Sequence, residues 1–364
     1  PLWKFTNDEW YPHQTNMDRV ISATATEFRK NRFDDNIQYT IGGVSKTASM
    51  ERIKEEFAAQ NGVNGFDQSD LDQLNAFYYP VRSFTFIGDR TSANAASGRV
   101  YKDGTITNFE FFKWKDGGTT DVEALNPHWQ SPSYVTKYSP NGQPLEEVNL
   151  LGIYSTVKLG YGNLLPIMSA ANAEYESVLF EDYENGSALG QTIAKAHTGT
   201  RSLNYATINN GVIAAQPLKL TTNLHDKGAR FKVWVRLTNE GSPDPLLTEV
   251  MQGNPRLKLG NTTYPMNRIA TVGEWHLLSV DVKTWSGLNV GDAFTIQYLY
   301  DLPTAAHQLL LDDVCFHPLE AGVSMTVYNP SDFKVVAQLD DQHFAVIYEY
   351  NTEGALVRTI IETE

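Results

Sequence analysis

"ARFKVWVRLT", residues 229–238, places Phe231, Val233 and Val235 on one side of an extended chain and Lys232, Trp234 and Arg236 on the other. That period of two belongs to a β-strand, and it predicts one packed face and one wet face. "EWHLLSVDV", 274–282, repeats the pattern, with Leu278, Val280 and Val282 against Ser279 and Asp281, and Trp275 reads as core. Working outward, "SVLFEDY" (177–183), "SLNYATI" (202–208), "LKLTTN" (218–223), "PRLKLG" (255–260), "AFTIQYLY" (293–300) and "QLLLDDVCF" (308–316) recur at the spacing of a sandwich. With the first two they make eight predicted antiparallel strands between about 174 and 318, the complement of a jelly-roll β-sandwich.

Composition agrees with a mainly β chain. Of 364 residues, eighteen are Tyr and seven Trp, while a fifth are charged, a profile suited to pleated, aromatic-rich surfaces. The formal net charge of −14, with no basic cluster longer than the one around Arg29–Arg32, excludes a nucleic-acid partner. One cysteine, Cys315, excludes an internal disulfide and reads as a buried thiol. No apolar run approaches the ~18 residues of a membrane-spanning helix. The length predicts two or three domains. The start at Pro1 and the end in "IIETE" read as cuts within a larger precursor.

The flanks differ from the sandwich. "SMERIKEEFAAQNG" (49–62) and "SDLDQLNAFYYP" (69–80) predict two short capped helices in a mixed region, 1–100. From Val81 onward "RSFTFIGD", "GRVYKDGTITNFEFFKW" and "SPSYVTKYSPNGQPLEEV" alternate around Asp-Gly and Asn-Gly turns and predict hairpins, with a hairpin lead-in segment over 101–173. The tail, 319–364, carries "YEYNTEGALVRTI" (348–360), strand-like on both sides of a turn at Asn351–Gly354. "TKYSPNGQPLEEV" (136–148) again sets a Tyr four residues before a Gly, here with a Leu three residues after it, which suggests a repeated hairpin.

No HExxH, Gly-x-Ser-x-Gly or P-loop is present, and "STVK" at 155–158 lacks the companions that would make Ser-x-x-Lys catalytic. Exposed rings that could stack on sugar faces are sought among Tyr183, Trp234, Trp285, Tyr298 and Tyr300, with Trp234, Tyr298 and Tyr300 as the chosen ligand-binding residues. Tyr298 and Tyr300 share a strand face, for which packing is the competing role.

Three strings, "LFEDYENG" (179–186), "AHTGTRSL" (196–203) and "LLLDDVCF" (309–316), resemble jelly-roll carbohydrate-binding modules. Such modules commonly tie the first strand to the last through a structural calcium ion. The resemblance implies Glu181 and Asp312 or Asp313 as metal ligands, with backbone around Thr198 and Arg201 completing the shell. Carboxylates beside Phe180 and Leu311 would need partners at a sandwich edge; a pair of solvated edge carboxylates is the alternative.

A larger resemblance covers much of 133–358. "LLLDDVCFHPLEAGVSMTVYNPSDFKVVAQLDDQHFAVIYEYNTEGALVR" (309–358) looks like the passage in Bacteroidota-type RHS/YD-repeat surface proteins where a jelly roll hands over to the first Tyr-Asp repeat. Here Tyr350-Asn351 and Gly354-Ala355 stand where the repeat carries Tyr-Asp and Gly-Arg. The family implies a secreted or surface-displayed, non-catalytic segment with a structural or adhesive role, and a glycan, a surface protein or secretion machinery as partner. The alternatives are the cargo or carrier portion of an exported RHS-type toxin, and a polysaccharide-active β-sandwich enzyme working through paired carboxylates.

Overall fold

The computed structural model describes residues 22–30, 78–88, 109–114, 125–139, 142–184, 189–239, 247–301 and 307–363, together with the backbone of the strands Trp3–Thr6, Glu9–Pro12, Ile37–Ile41 and Val44–Ala48. The two helices expected over 49–62 and 69–80 lie outside the described residues, apart from Tyr78–Pro80, which opens the strand Tyr78–Phe86. Two compact units result, Pro1–Asn31 with Asn75–Val135, and Arg32–Leu74 with Thr136–Glu364. They cut across the expected segments 1–100 and 101–173 and unite 174–318 with 319–364.

In the first unit Thr24–Lys30 pairs antiparallel with Tyr78–Phe86. Its buried core is aromatic, with Phe84, Phe86 and Trp129 packed by Phe109 and Phe112. The hairpin expected through Phe109–Trp114 has no strand there. In place of a neighbouring strand, the Asn126 side chain takes both backbone groups of Lys113, accepting from its N–H and donating to its carbonyl at 2.7 Å each.

The second unit contains the sandwich. All eight expected strands contain a strand, together with Thr192–Ile193, Thr262–Pro265 and Asn267–Val272 that the alternation did not mark. A seven-stranded antiparallel sheet runs Thr192–Ile193, Ser202–Asn204, His307–Pro318, Ala229–Asn239, Trp275–Val282, Asn267–Val272, and Leu179–Glu181 pairs with His307–Pro318. Opposite it lie the three-stranded sheet Thr262–Pro265, Arg256–Leu259, Ile296–Leu299 and the pair Leu218–Lys219 with Ala293–Phe294. Phe231, Val233, Val235, Leu278, Leu311 and Phe316 from the first layer meet Leu218, Leu257, Leu259, Phe294, Ile296 and Tyr298 from the second.

Most of the second face of the large sheet is covered, although Asp281 and Arg230 on it still meet solvent. Trp234 and Lys232 are as buried as Phe231, because a further antiparallel sheet covers that side. Its strands run Leu356–Ile361, Ala345–Tyr350, Val335–Leu339, Gly322–Tyr328, Leu165–Ala171, Tyr154–Gly160, Pro144–Asn149. Phe180 and Cys315 on the sandwich pack with Met168, Val323, Met325, Val327, Leu339 and Ala345 on this sheet. That shared core, with Cys315 inside it, is why the tail and the sandwich form one unit.

Four turns of the covering sheet share one geometry. At 139–143, 149–153, 340–344 and 351–355 the fourth residue has positive φ, at Gly142 (78°), Gly152 (75°), His343 (78°) and Gly354 (82°). In each, the fourth N–H donates to the first carbonyl, and the first N–H to the fifth carbonyl. The first side chain, Ser139, Asn149, Asp340 or Asn351, accepts from the fifth N–H. A three-residue hairpin loop with a left-handed fourth position needs this chemistry, and three of the four use glycine there.

Candidate functional site

Two places in the second unit gather polar side chains. The first is buried and centres on Asp312, Asp313 and His197. The pairing of Ala229–Asn239 with His307–Pro318 shifts register between Lys232 and Trp234, which leaves an extra residue on the longer strand. Asp313 takes up this bulge with φ 46°, and bulges re-aim side chains in this way. Both carboxylates consequently reach the same loop. Asp312 Oδ2 accepts from the His197 backbone N–H at 2.7 Å, and Asp312 Oδ1 from the Asp313 N–H at 2.9 Å. Asp313 Oδ2 lies 2.8 Å from His197 Nδ1, and Thr198 Oγ1 donates to the Asp313 carboxylate at 2.8 and 2.9 Å.

The His197 ring stacks on Trp234, with centroids 3.9 Å apart and planes 17° apart. Its Nε2 is 3.0 Å from Glu362 Oε1, an ion-pair contact off the hydrogen-bond axis. Glu362 Oε2 accepts from the Ala345 N–H at 2.8 Å. Burial works against charge on this imidazole, but the hydrogen bond to Asp313 and the Glu362 carboxylate raise it above its ordinary range. A carboxylate at each nitrogen favours the protonated form of the ring, which rests on an indole face.

The second sheet closes over this group. Trp234 Nε1 donates to the His343 carbonyl at 3.0 Å, His343 Nε2 to the Asp313 carbonyl, and Lys232 Nζ to the Asp341 carbonyl. Burial pushes His343 down to about 3 and keeps it neutral. Burial, then the neighbouring Asp313, hold Asp312 well above the usual carboxylate range. Burial also raises Asp182 to about 7 and Glu181 to about 8, the latter opposed by Lys158. The arrangement is a clasp between the sandwich and the turn 340–344.

Asp312 and Asp313 both reach the loop at His197, while Glu181 lies on the neighbouring strand in register with Val314. Among the described residues no group of three or more His, Cys, Asp or Glu side chains could hold a metal ion. At the loop Thr198–Arg201, Thr200 N and Arg201 N donate to Glu184 Oε1 at 2.6 and 2.7 Å. Glu184 was not singled out by the sequence. Nor do the selected rings serve as platforms, since Trp234 and Tyr298 are fully buried and Tyr300 is 6% exposed. Trp234 lies in the clasp. Tyr298 points inward because the strand Ile296–Leu299 alternates with Gln297 and Leu299 outward, and Tyr300, just beyond its end, is buried beside it.

The second place is an open groove of about 680 Å³ on the outer face of the three-stranded sheet, lined by Tyr205, Ile208, Asn210, Lys258, Gln297 and Leu299, with Ala206 and Gly211. The Asn204 side chain accepts from the Ala206 N–H and starts a 3-10 turn at Tyr205–Thr207, where the sequence predicted strand. The loop is then pinned to Ile296–Leu299, with Tyr298 N donating to Gly211 O at 2.8 Å and Ile213 N to Ile296 O at 3.2 Å. Gly211 has φ 70°, and a Cβ there would lie 2.4 Å from the Tyr298 carbonyl. Tyr205 is half-buried, edge-on to Tyr298 and Tyr300, and its hydroxyl accepts from the Tyr300 N–H.

These features define a β-sandwich clasped to a hairpin sheet and carrying one shallow polar groove. No protein-family model matches the chain, and no curated protein matches it. One similar solved structure is the N-terminal CBM22-1–CBM22-2 tandem domain of Paenibacillus barcinonensis Xyn10C, at 15% identity and a TM-score of 0.25. The match covers 47% of this chain and 63% of that one. At that level the likeness decides neither fold nor function.

Proposed function

We propose that this chain is a non-catalytic, structural and adhesive segment of a larger secreted or surface-displayed bacterial protein, and that the groove is its contact with glycan. The observation that carries the reading is the separation of the two sites. The buried carboxylates and His197 are held by hydrogen bonds inside the clasp, while among the described residues the groove lining contains no carboxylate, imidazole or thiol. A glycosidase needs two carboxyl groups across its cleft. Neutral amide and phenol groups beside an aromatic edge instead suit sugar hydroxyls and ring faces.

A glycan array followed by titration calorimetry tests this. Binding without release of reducing sugar, weakened at least tenfold in Gln297→Ala and Asn210→Ala, is the expected result. Release of sugar by the purified chain would overturn the non-catalytic assignment. Silence across the array would leave the structural role alone.

A further inference from the structure

We propose that the groove selects an anionic sugar unit, through Lys258; this rests on the groove being the glycan contact. Lys258 is the one charged side chain among the groove-lining residues. It stands at the centre of the three-stranded sheet, in register with Gln297 on one side and Thr263 on the other. Partners directly across antiparallel strands share a face, so the row Thr263, Lys258, Gln297 presents two neutral hydrogen-bonding groups flanking an ammonium.

No carboxylate neutralises that ammonium among the described residues. Arg256, two residues earlier on the same face, is held by Asp301 at 2.8 Å, whereas Lys258 has no such pair. A cation with no carboxylate pair among the described residues gives this face local attraction on a chain of net charge −14, whose overall field repels anions. A polyanion would therefore be drawn to this face by local charge, over a range set by the Debye length, roughly 10 Å at 0.1 M salt. The volume of about 680 Å³ falls within the range of small-molecule sites, roughly 300–1,000 Å³. Asn210 at the rim and Gln297 beside Lys258 are placed to take the hydroxyls next to a carboxylate or sulfate ester.

The test is titration of the full chain, at low salt, with three oligosaccharides of matched length: oligogalacturonate, a heparin-derived hexasaccharide and cellohexaose. Tighter binding of at least one acidic oligomer, tenfold or more over cellohexaose, is expected, together with loss of that margin in Lys258→Gln and in 0.5 M salt. Which acidic oligomer binds identifies the source of the charge as uronate or sulfate ester. Equal affinity for the neutral and acidic oligomers, or an acidic preference that survives Lys258→Gln, overturns the inference while binding that is lost in Gln297→Ala keeps the glycan reading. Failure to bind any of the three at millimolar concentration sinks both.

Discussion

His343 sits where the other three turns of its kind carry glycine, and a non-glycine residue at φ 78° carries a backbone cost of about 1–2 kcal/mol. The imidazole returns something for that strain. It holds the bulged Asp313 carbonyl, and its own carbonyl takes the Trp234 indole N–H. His343→Gly would relax the backbone but leave a buried carbonyl unpaired and a void beside it, each worth about 1–3 kcal/mol. We expect a net loss of about 1–2 kcal/mol in urea unfolding, and a larger loss in His343→Ala, which keeps the strain. A more stable His343→Gly would mean that the clasp contributes nothing. At the same scale, the N–H groups that donate to Glu184 predict that EDTA leaves the melting temperature unchanged. A fall reversed by added calcium, and absent in Glu181→Ala, would instead support the calcium site expected from sequence.

At the scale of elements, the groove depends on one glycine and the covering sheet on several, and the two cases separate cleanly. Gly152 and Gly211 both have positive φ, but a Cβ at Gly152 meets nothing within 4 Å while one at Gly211 would strike the Tyr298 carbonyl. Gly152→Ala should therefore cost about 1 kcal/mol, the backbone term alone. Gly211→Ala should cost about 2 kcal/mol or more and also abolish groove binding, because the loop must leave Ile296–Leu299; calorimetric melting plus titration reads both. Equal losses would show that the close approach does not matter. The strands themselves were legible because alternation reports which side of a strand is apolar, as in 229–238 and 274–282. It cannot report what lies over the polar side. Trp234 was assigned to the correct face, yet the turn that closes over it, at His343 and Phe344, comes about a hundred positions later. The groove was illegible for a similar reason, since its lip is a 3-10 turn capped by Asn204 and its floor comes from two strands forty residues apart in sequence. Two copies of the repeated hairpin, by contrast, were readable from Tyr and Gly spacing, while the turn at 149–153 lacks the Tyr and the one at 340–344 carries His343 in place of Gly.

For the second unit as a whole, the clasp and the buried acids fix how stability responds to pH. Asp182 and Glu181 titrate near 7 and 8 in the fold, above their ordinary carboxylate values, and His197 is also raised. The folded protein thus keeps protons that the unfolded chain releases, so their contribution is complete at low pH and is lost as pH rises through about 7 to 8. His276 and His317, pushed by burial to about 4, and His343, to about 3, act in the opposite sense. They resist protonation that the unfolded chain accepts below about 6.5, so their contribution is present above that value and disappears as pH falls toward 4 and 3. Between about 4.5 and 6.5 the two groups pull against each other. Above 6.5 only the raised groups still change, and below 4 only the histidines. Differential scanning calorimetry should therefore find a broad melting-temperature maximum on the acid side of neutrality, with decline toward pH 8.5 and toward pH 3.5. His197→Gln should flatten the alkaline limb, because it removes a proton bound between Asp313 and Glu362. A melting temperature that climbs steadily from pH 6 to 9 would contradict the upward shifts of His197, Asp182 and Glu181, and with them the joining of sandwich and hairpin sheet through charge.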